Sequence, residues 1–378
     1  MSGFVFSEKP ITIESGEGPY LYGADGTEYL DFGASYACTP LGHSHPAVTE
    51  AVRAQAAELT YVQASYPVDV RTETYEKLAT VAPEGLDNVW LCNSGTEANE
   101  AAMKFARSAT GSEKIVATKR AFHGRTMGAL AMTWKKQYKA PFEPLAGGVE
   151  FVDYGDVAAL DEAVDEDTAA VFLEPVQGEG GIHPATVDYL EAAREVTAEA
   201  GAALAFDEIQ TGMGRTGTLW ACERAGVVPD VLTTAKGIAN GLPMGATLCA
   251  DWIADDPGNH GSTFSGGPVV CAAANATLDT LVDEDVPAHA RAVGDSLVAA
   301  LSDAADEHDL PVREVRGEGL MIGIEVKRGA NRVLRDLAIQ ENVLALPAGR
   351  TVVRLLPPLT IDESHADAFV DAFVEVLG

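Results

Sequence analysis

The 378-residue chain carries 57 acidic and 26 basic side chains, a formal net charge of −31, and 47% of its residues are hydrophobic. That apolar content excludes wholesale disorder, and the length allows one large body with a smaller attachment. A surface so acidic repels phosphate backbones and anionic lipid heads, which argues against nucleic-acid and membrane-surface partners. The acids are spread along the chain without an acidic tail, and only ten lysines accompany sixteen arginines. This is the pattern of a solvating shell for high salt, so a halophilic protein is expected. Five cysteines, none in CxxC spacing, suit a reducing cytosol and give no disulfide framework or zinc site. The opening MSGFVFSEKPITIESGEG has no basic segment followed by an apolar one, and no apolar run reaches the ~18 residues of a membrane span. A cytoplasmic location is expected.

In chain order, Tyr20, Tyr22, Tyr29, Leu30 and Phe32 flank Ala24-Asp25-Gly26 and predict a hairpin. Val48, Val52, Ala56 and Leu59 mark one face of a helix. From about 85 to 285, short apolar runs alternate with helical stretches: NVWLC (88–92), KIVAT (114–118), AAVFL (169–173), ALAF (203–206) and VLTT (231–234). Such alternation predicts an α/β body with a mostly parallel sheet. Beyond about 285 the pattern becomes a helix near 287–308, strands around 312–315 and 320–326, a helix near 331–341, two short strands and a final helix from Glu363. This reads as a small α+β domain over 285–378, which the N-terminal segment 1–45 joins. Residues 46–284 form the large domain.

Residues able to carry chemistry follow the predicted strands. Asn93-Ser94-Gly95-Thr96-Glu97 runs from a strand into a helix and offers free backbone N–H groups to an anion, although Ser94 and Glu97 also read as a plain capping box. Phe122-His123-Gly124-Arg125 puts a flat ring and a guanidinium at another strand end, with His123 read as a loop or core histidine. Asp207, in Phe206-Asp207-Glu208-Ile209-Gln210, is a carboxylate able to hold a proton on a ring nitrogen. Lys236 is the only lysine between Lys139 and Lys327 and follows a buried strand, the setting of a reactive amine. Ser262 and Thr263 stand in a polar turn, placed to cap the next helix or to bind a phosphate. His43-x-His45 lacks a third ligand, so no metal is expected. Gly212-Met213-Gly214-Arg215-Thr216-Gly217 matches a dinucleotide fingerprint literally but does not open a helix directly after a strand, so it is set aside.

Together the strings NSGTEANEAAMKFAR, AFHGRTMGAL, FLEPVQGEGG, FDEIQTGMGRTGTLW, AKGIANGLPMGA, HGSTFSGGP and VRLLPPLTI, in order from 93 to 361, resemble the class III (acetylornithine/ornithine-type) pyridoxal-phosphate (PLP) aminotransferases. YLYGADGTEYLDF extends the resemblance to the N-terminal part. It implies the fold-type-I aminotransferase architecture: a large domain with a mostly parallel seven-stranded sheet, a small α+β domain, and a homodimer with sites at its interface. By resemblance, Lys236 is the lysine that binds the cofactor. Asp207 partners the pyridinium, while Glu208, Ile209 and Gln210 lie in the same cofactor-binding segment. Gly95 and Thr96 form the phosphate loop, with Thr263 reaching in from the partner subunit, and Phe122 stacks on the ring. Arg125, Ser262 and Tyr36 contact substrate, and Glu179 and Arg354 form a switch pair. Ser265-Gly266-Gly267-Pro268 departs from the commoner Gly-Gly-Asn-Pro.

The implied reaction is a ping-pong transfer between glutamate/2-oxoglutarate and the terminal amine or aldehyde of an N-blocked ornithine or lysine. Other omega-aminotransferases and a glutamate-1-semialdehyde aminomutase are the alternatives. Between Lys119 and Phe142 stand Lys119, Arg120, Arg125, Lys135, Lys136 and Lys139 with no intervening acid. Thr133–Lys139 also resembles the archaeal branch that uses substrates tethered to an acidic amino-group carrier protein. The basic island is thus expected to dock such a carrier or to be a solvated loop.

Overall fold

The computed structural model describes residues 9–327 and 329–378. Its strands are β1 (Ile13–Glu17), β2 (Tyr20–Gly23), β3 (Glu28–Asp31), β4 (Asn88–Cys92), β5 (Lys114–Thr118), β6 (Val149–Val152), β7 (Thr168–Leu173), β8 (Val176–Gln177), β9 (His183–Pro184), β10 (Ala203–Asp207), β11 (Val231–Thr234), β12 (Gly245–Cys249), β13 (Val312–Glu318), β14 (Met321–Val326), β15 (Val343–Leu344), β16 (Leu346–Ala348) and β17 (Val352–Leu355). The central sheet has seven strands in the order β4-β12-β11-β10-β7-β5-β6. β12 runs opposite to the other six strands of this sheet. All five strands expected in the large domain are present. β6 and β12 are additions, and Gly245-Ala-Thr-Leu-Cys249 is too poor in β-branched residues to announce a strand.

β7, β10, β11 and β12 are buried throughout, as strands covered by helices on both faces must be. Helix Gly95–Thr110 leaves β4 directly. Ser94 Oγ accepts its Glu97 N–H, and Gly111 ends it in the left-handed region. The reciprocal arm of the expected capping box goes one residue further out, where the Glu97 carboxylate accepts the Asn93 N–H at 3.0 Å. Ala98, Ala101, Ala102, Phe105 and Ala106 recur on the helix face turned to the core.

The C-terminal strands form an antiparallel sheet, β13-β14-β17-β16. The N-terminal strands β1-β2-β3 are completed by β15, which runs parallel to β3 with Val343 opposite Leu30. Phe32 continues that junction, stacking on Phe369 of the last helix (Glu363–Leu377) at 4.5 Å between ring centroids. The GxGxxG loop seats this C-terminal region. Arg215 Nη1 donates to the Leu320 and Pro357 carbonyls, and a Cβ on Gly217, whose φ is +93°, would lie 2.7 Å from Arg291 Cβ.

After β3, residues Ala34, Ser35, Tyr36 and Ala37 all have positive φ, from 37° to 67°. Each such L-residue costs roughly 1–2 kcal/mol, so the turn persists only because its surroundings hold it. Asp31 Oδ1 accepts the Gly33 and Ala34 N–H groups, and its Oδ2 meets His43 Nε2 at 2.8 Å. Asn240 clamps the far side through the Leu41 N–H and the Gly42 carbonyl. Among the described residues, no helix is long and apolar enough to cross a membrane, and no His/Cys/Asp/Glu cluster could hold a metal ion.

Because Phe369 is fully buried against both Phe32 and Phe373, Phe369→Ala should cost about 3–5 kcal/mol of stability. Equilibrium urea unfolding measures this. A loss below about 1 kcal/mol would mean that the two chain ends do not share a core.

Candidate active site

The loops leaving the carboxyl ends of β4, β5, β7, β10 and β11 converge on a cavity of about 260 Å³. Gly95, Thr96, Phe122, His123, Gly124, Arg125, Glu174, Glu179, Asp207, Ile209, Gln210 and Lys236 line it. Sites of open parallel sheets lie at this edge because the strands end there and the helices begin. Backbone shape adapts the walls. A Cβ on Gly95 would lie 2.7 Å from Ile209 Cδ1. Gly124, at φ +135°, brings its loop onto Thr96, whose hydroxyl accepts the Arg125 and Thr126 N–H groups at 3.3 and 3.2 Å.

Asp207 ends β10 and is buried. Its Oδ2 accepts from Asn99 Nδ2 and meets His123 Nδ1, both at 2.7 Å, and its Oδ1 accepts the Ile209 N–H at 3.1 Å. Asn99 is fixed in turn by Thr233 Oγ1 and by the His123 carbonyl, each at 2.8 Å. Burial opposes a charge on His123, but the bond to Asp207 and the charges of Asp207 and Glu174 outweigh it and favour the imidazolium. Burial pushes the Glu174 carboxyl up from its ordinary range. Glu174 accepts the Phe122 N–H at 3.1 Å and the Gly178 N–H at 3.3 Å, joining the two loops that carry Phe122 and Glu179.

Lys236 opens a single 3₁₀ turn (Lys236–Ala239) after β11 and holds a positive φ of 43°. Burial pulls its ammonium below the usual lysine range. Glu179 and Asp207 oppose that shift, whereas Arg354 adds to it.

Arg354, on β17, is the component from the C-terminal sheet. Its side chain is 0% exposed, and its Nη1 lies 2.7 Å from Glu179 Oε1 and 3.2 Å from Gln210 Oε1. Its Nε and Nη2 are buried without a partner among the described residues. Two free donors on a buried guanidinium form a fork shaped for a carboxylate. Tyr36, presented by the left-handed turn, lies beside this arginine, 5.4 Å from ring centroid to guanidinium carbon.

The other expected site residues separate into three groups. Arg125 is exposed at the rim, stacked 3.8 Å above the Tyr138 ring and 5.5 Å from the Phe122 centroid. Ser262 and Thr263 are not in the wall. Ser262 Oγ accepts from Asn93 Nδ2 at 3.0 Å, and exposed Thr263 accepts from the Tyr61 hydroxyl through its carbonyl. Nor do they cap the next helix (Pro268–Asp283), whose N-cap is Gly267. Glu208 is a correction: its carboxylate turns away from the cavity, accepts the Cys222 N–H at 2.8 Å and bonds the Thr211 hydroxyl. Alternation along an extended segment accounts for this, since neighbours of an inward-facing Asp207 face the other side. His123 is buried in the loop after β5, as expected of a loop or core histidine, and its partner there is Asp207. Glu174 is not singled out by the sequence within FLEPVQGEGG; an acid directly after the apolar run AAVFL is the available signal.

Burial raises the Glu208 carboxyl to about 7. The native chain therefore holds this proton where the unfolded chain has released it, and stability falls as pH rises from about 4.5 to about 7. Glu208→Gln removes the buried charge. It should stabilise the protein at pH 8 by on the order of 2 kcal/mol and give little gain at pH 4.5. Urea unfolding at the two pH values measures the difference, and an equal effect at both would mean that Glu208 does not titrate in this window.

The class-III aminotransferase family model matches residues 6–377. The [LysW]-aminoadipate semialdehyde transaminase of Deinococcus radiodurans is 44% identical over 378 residues, covering 99% of this chain and 87% of the relative. The acetylornithine aminotransferase of Mycolicibacterium smegmatis is 47% identical over 375 residues, covering 98% and 95%. Among solved structures, the ornithine aminotransferase of Toxoplasma gondii, with PLP at partial occupancy in its active site, superposes with a TM-score of 0.93 at 33% identity, covering 98% of this chain and 90% of that one. A match of this extent makes the chain a member of the class-III, PLP-dependent aminotransferases.

Proposed function

We propose that this enzyme moves an amino group between glutamate/2-oxoglutarate and the terminal amine or aldehyde of an N-blocked ornithine or lysine, in arginine or lysine synthesis. The observation that carries the reading is a buried Arg354, with two nitrogens unpartnered among the described residues, paired with Glu179, which lines the cavity that holds Lys236 and Asp207.

The cavity residues fit PLP. The start of helix Gly95–Thr110 offers backbone N–H groups to a phosphate, and the absent Cβ of Gly95 leaves room beside Ile209. Phe122 offers a ring face, Asp207 a carboxylate for a ring N–H, and Lys236 an amine for the aldehyde carbon. PLP supplies an electron sink for the charge left when a proton leaves the amino-bearing carbon. Lys236 moves that proton. Burial lowers its basicity, which shifts it toward the neutral amine that a base requires. Asp207 holds the ring-nitrogen proton, and His123 and Asn99 fix its carboxylate against rotation.

Glutamate brings two carboxylates, whereas a terminal-amine substrate brings only an aliphatic chain near the reacting carbon. Arg354 has to meet the first and ignore the second. With Glu179 in place the guanidinium charge is neutralised; with Glu179 displaced, the uncompensated guanidinium donates its N–H groups to the glutamate α-carboxylate. Arg125 at the rim takes the carboxylate at the other end of either substrate.

Two finer readings accompany this. Phe264 is 66% exposed and its ring lies 5.3 Å from that of Tyr61, an aromatic edge that supports a homodimer in which Thr263 reaches the other subunit's phosphate site. Exposed Lys135 and Lys136 support docking of an acidic carrier protein; Lys119 adds less, since Asp153 neutralises it at 2.7 Å.

Lys236→Ala should lower turnover by about 10²–10⁴-fold, read with 2-oxoglutarate and N-acetylornithine. Native turnover in that variant would reject the assignment. Asp207→Ala should still bind cofactor, seen by absorbance, but react at least about 100-fold more slowly. Glu179→Ala should slow the terminal-amine half-reaction at least about tenfold more than the glutamate half-reaction in single-turnover absorbance measurements. Equal losses in the two halves would remove the gate.

A further inference from the structure

The turn that presents Glu179 is tied down at both ends. Residues 178–182 join the short strands β8 and β9, in which Gln177 stands opposite His183. Gln177 Nε2 donates to Thr118 Oγ1 and to the Lys119 carbonyl at 3.0 and 2.9 Å. The Glu174 carboxylate accepts the Gly178 N–H, and the Gly181 N–H closes the turn onto the Gly178 carbonyl, both at 3.3 Å. Only Glu179 and Gly180 lie between those ends. The far end is strained: Ile182 has a φ of +56°, a left-handed conformation that a β-branched residue keeps only when its surroundings impose it.

Arg316, on β13 of the C-terminal sheet, supplies the hold. Its Nε donates to the Ile182 carbonyl at 2.8 Å and to the Gly181 carbonyl at 3.2 Å, and its Nη2 to the Gly181 carbonyl at 2.7 Å. Nη1 is occupied by Glu314 and Glu325 at 2.6 and 3.0 Å, so the acids of its own sheet fix the guanidinium with its other edge toward the turn. The register of that sheet links this grip to the gate. Arg316 is paired with Gly323 on β14, and Gly323 with Arg354 on β17. The three form one cross-strand row, and the side chains of a row leave the sheet on the same face. A Cβ on Gly323 would lie 2.8 Å from Ile182 Cβ, so the turn rests in the gap between the two arginines.

One arginine of the row thus holds the backbone of the turn, and the other meets its side chain, Glu179 Oε1, at 2.7 Å. We propose that Arg316 is a positioning residue for the Glu179–Arg354 gate: it locks the turn onto the row that carries Arg354, so that the gate opens by rotation of the Glu179 side chain and not by movement of the loop. This rests on the proposed gate and names what sets its geometry. Arg316 touches neither Glu179 nor Arg354 through its side-chain bonds and acts only through the Gly181 and Ile182 carbonyls. A turn released from that grip would no longer return Glu179 to Arg354 with one fixed geometry, and the uncompensated guanidinium would then face the aliphatic chain of a terminal-amine substrate.

The test is a double-mutant cycle on the holoenzyme, with single-turnover absorbance measurements of the N-acetylornithine and glutamate half-reactions. The quantity read is the ratio of their second-order rate constants. Arg316→Gln should lower this ratio by about fivefold or more, in the direction expected of Glu179→Ala. Added to Glu179→Ala, it should change the ratio by less than about twofold, because a residue that acts only through Glu179 has nothing left to position. Arg316→Lys keeps a cation beside Glu314 and Glu325 but not the fork on the two carbonyls, and it should lower the ratio as well. Equal slowing of both half-reactions by Arg316→Gln overturns the proposal, as does a full effect in the Glu179→Ala background or a wild-type ratio in Arg316→Lys. If Glu179→Ala by itself slows both halves equally, the gate fails instead and takes this role of Arg316 with it.

Discussion

Burial of the Asp207 carboxylate is the constraint on which the rest of the site depends. A charge removed from water costs several kcal/mol unless hydrogen bonds and opposite charge replace its solvation. Here the replacements come from separate elements: Asn99 from the helix after β4, His123 from the loop after β5, and the Ile209 N–H from Asp207's own loop. Thr233 on β11 holds Asn99, and Lys236 follows three residues later. Satisfying one carboxylate therefore sets the relative positions of most of the loops that carry the chemistry. The same bonds restrict its rotation, so it remains aimed into the cavity.

Arg354 follows the opposite logic. It is equally buried, yet its bonding is left incomplete, with Glu179 and Gln210 on one nitrogen and two donors free. Arg215 is a structural arginine of the same molecule, and its Nη2 is likewise buried without a partner among the described residues. Arg215 spans to the C-terminal region through two carbonyls, and burial depresses its affinity for the proton to about 9. What separates the two is the partner: Arg215 fastens the body through backbone carbonyls, whereas Arg354 serves the cavity, bonded to its lining side chains Glu179 and Gln210. The strained turn Ala34–Ala37 serves the second purpose, since it brings Tyr36 beside Arg354, and Asp31 and Asn240 hold it there.

Charge is distributed with similar economy. The acids spread over the surface, while cations gather beside the cavity mouth, where Arg125, Lys135 and Lys139 lean on aromatic rings. Aromatic support orients a cation without neutralising it. A carboxylate partner would do the reverse, as Asp153 does for Lys119.

Much of this was legible along the chain. Apolar runs ending in Asn93–Thr96, Phe122–Arg125, Asp207 and Lys236 set the strand ends and hence the edge where the chemistry collects, because a parallel sheet must place all those ends together. The hairpin around Asp25-Gly26 and the C-terminal helices followed from turn chemistry and periodicity. What tertiary structure alone decided are relations between distant residues. Sequence spacing does not state that His123 meets Asp207, that Glu174 joins two loops, or that Glu208 faces away. It leaves the basic island anion-free, whereas Asp153 on the neighbouring segment neutralises one end of it. Strand β12 was hidden because an interior strand of small residues owes its shape to its neighbours rather than to its own propensity. Local pattern determines where a strand or helix begins and ends; the direction of a buried polar side chain is decided by which partner removes its desolvation cost, and that partner is supplied by the fold.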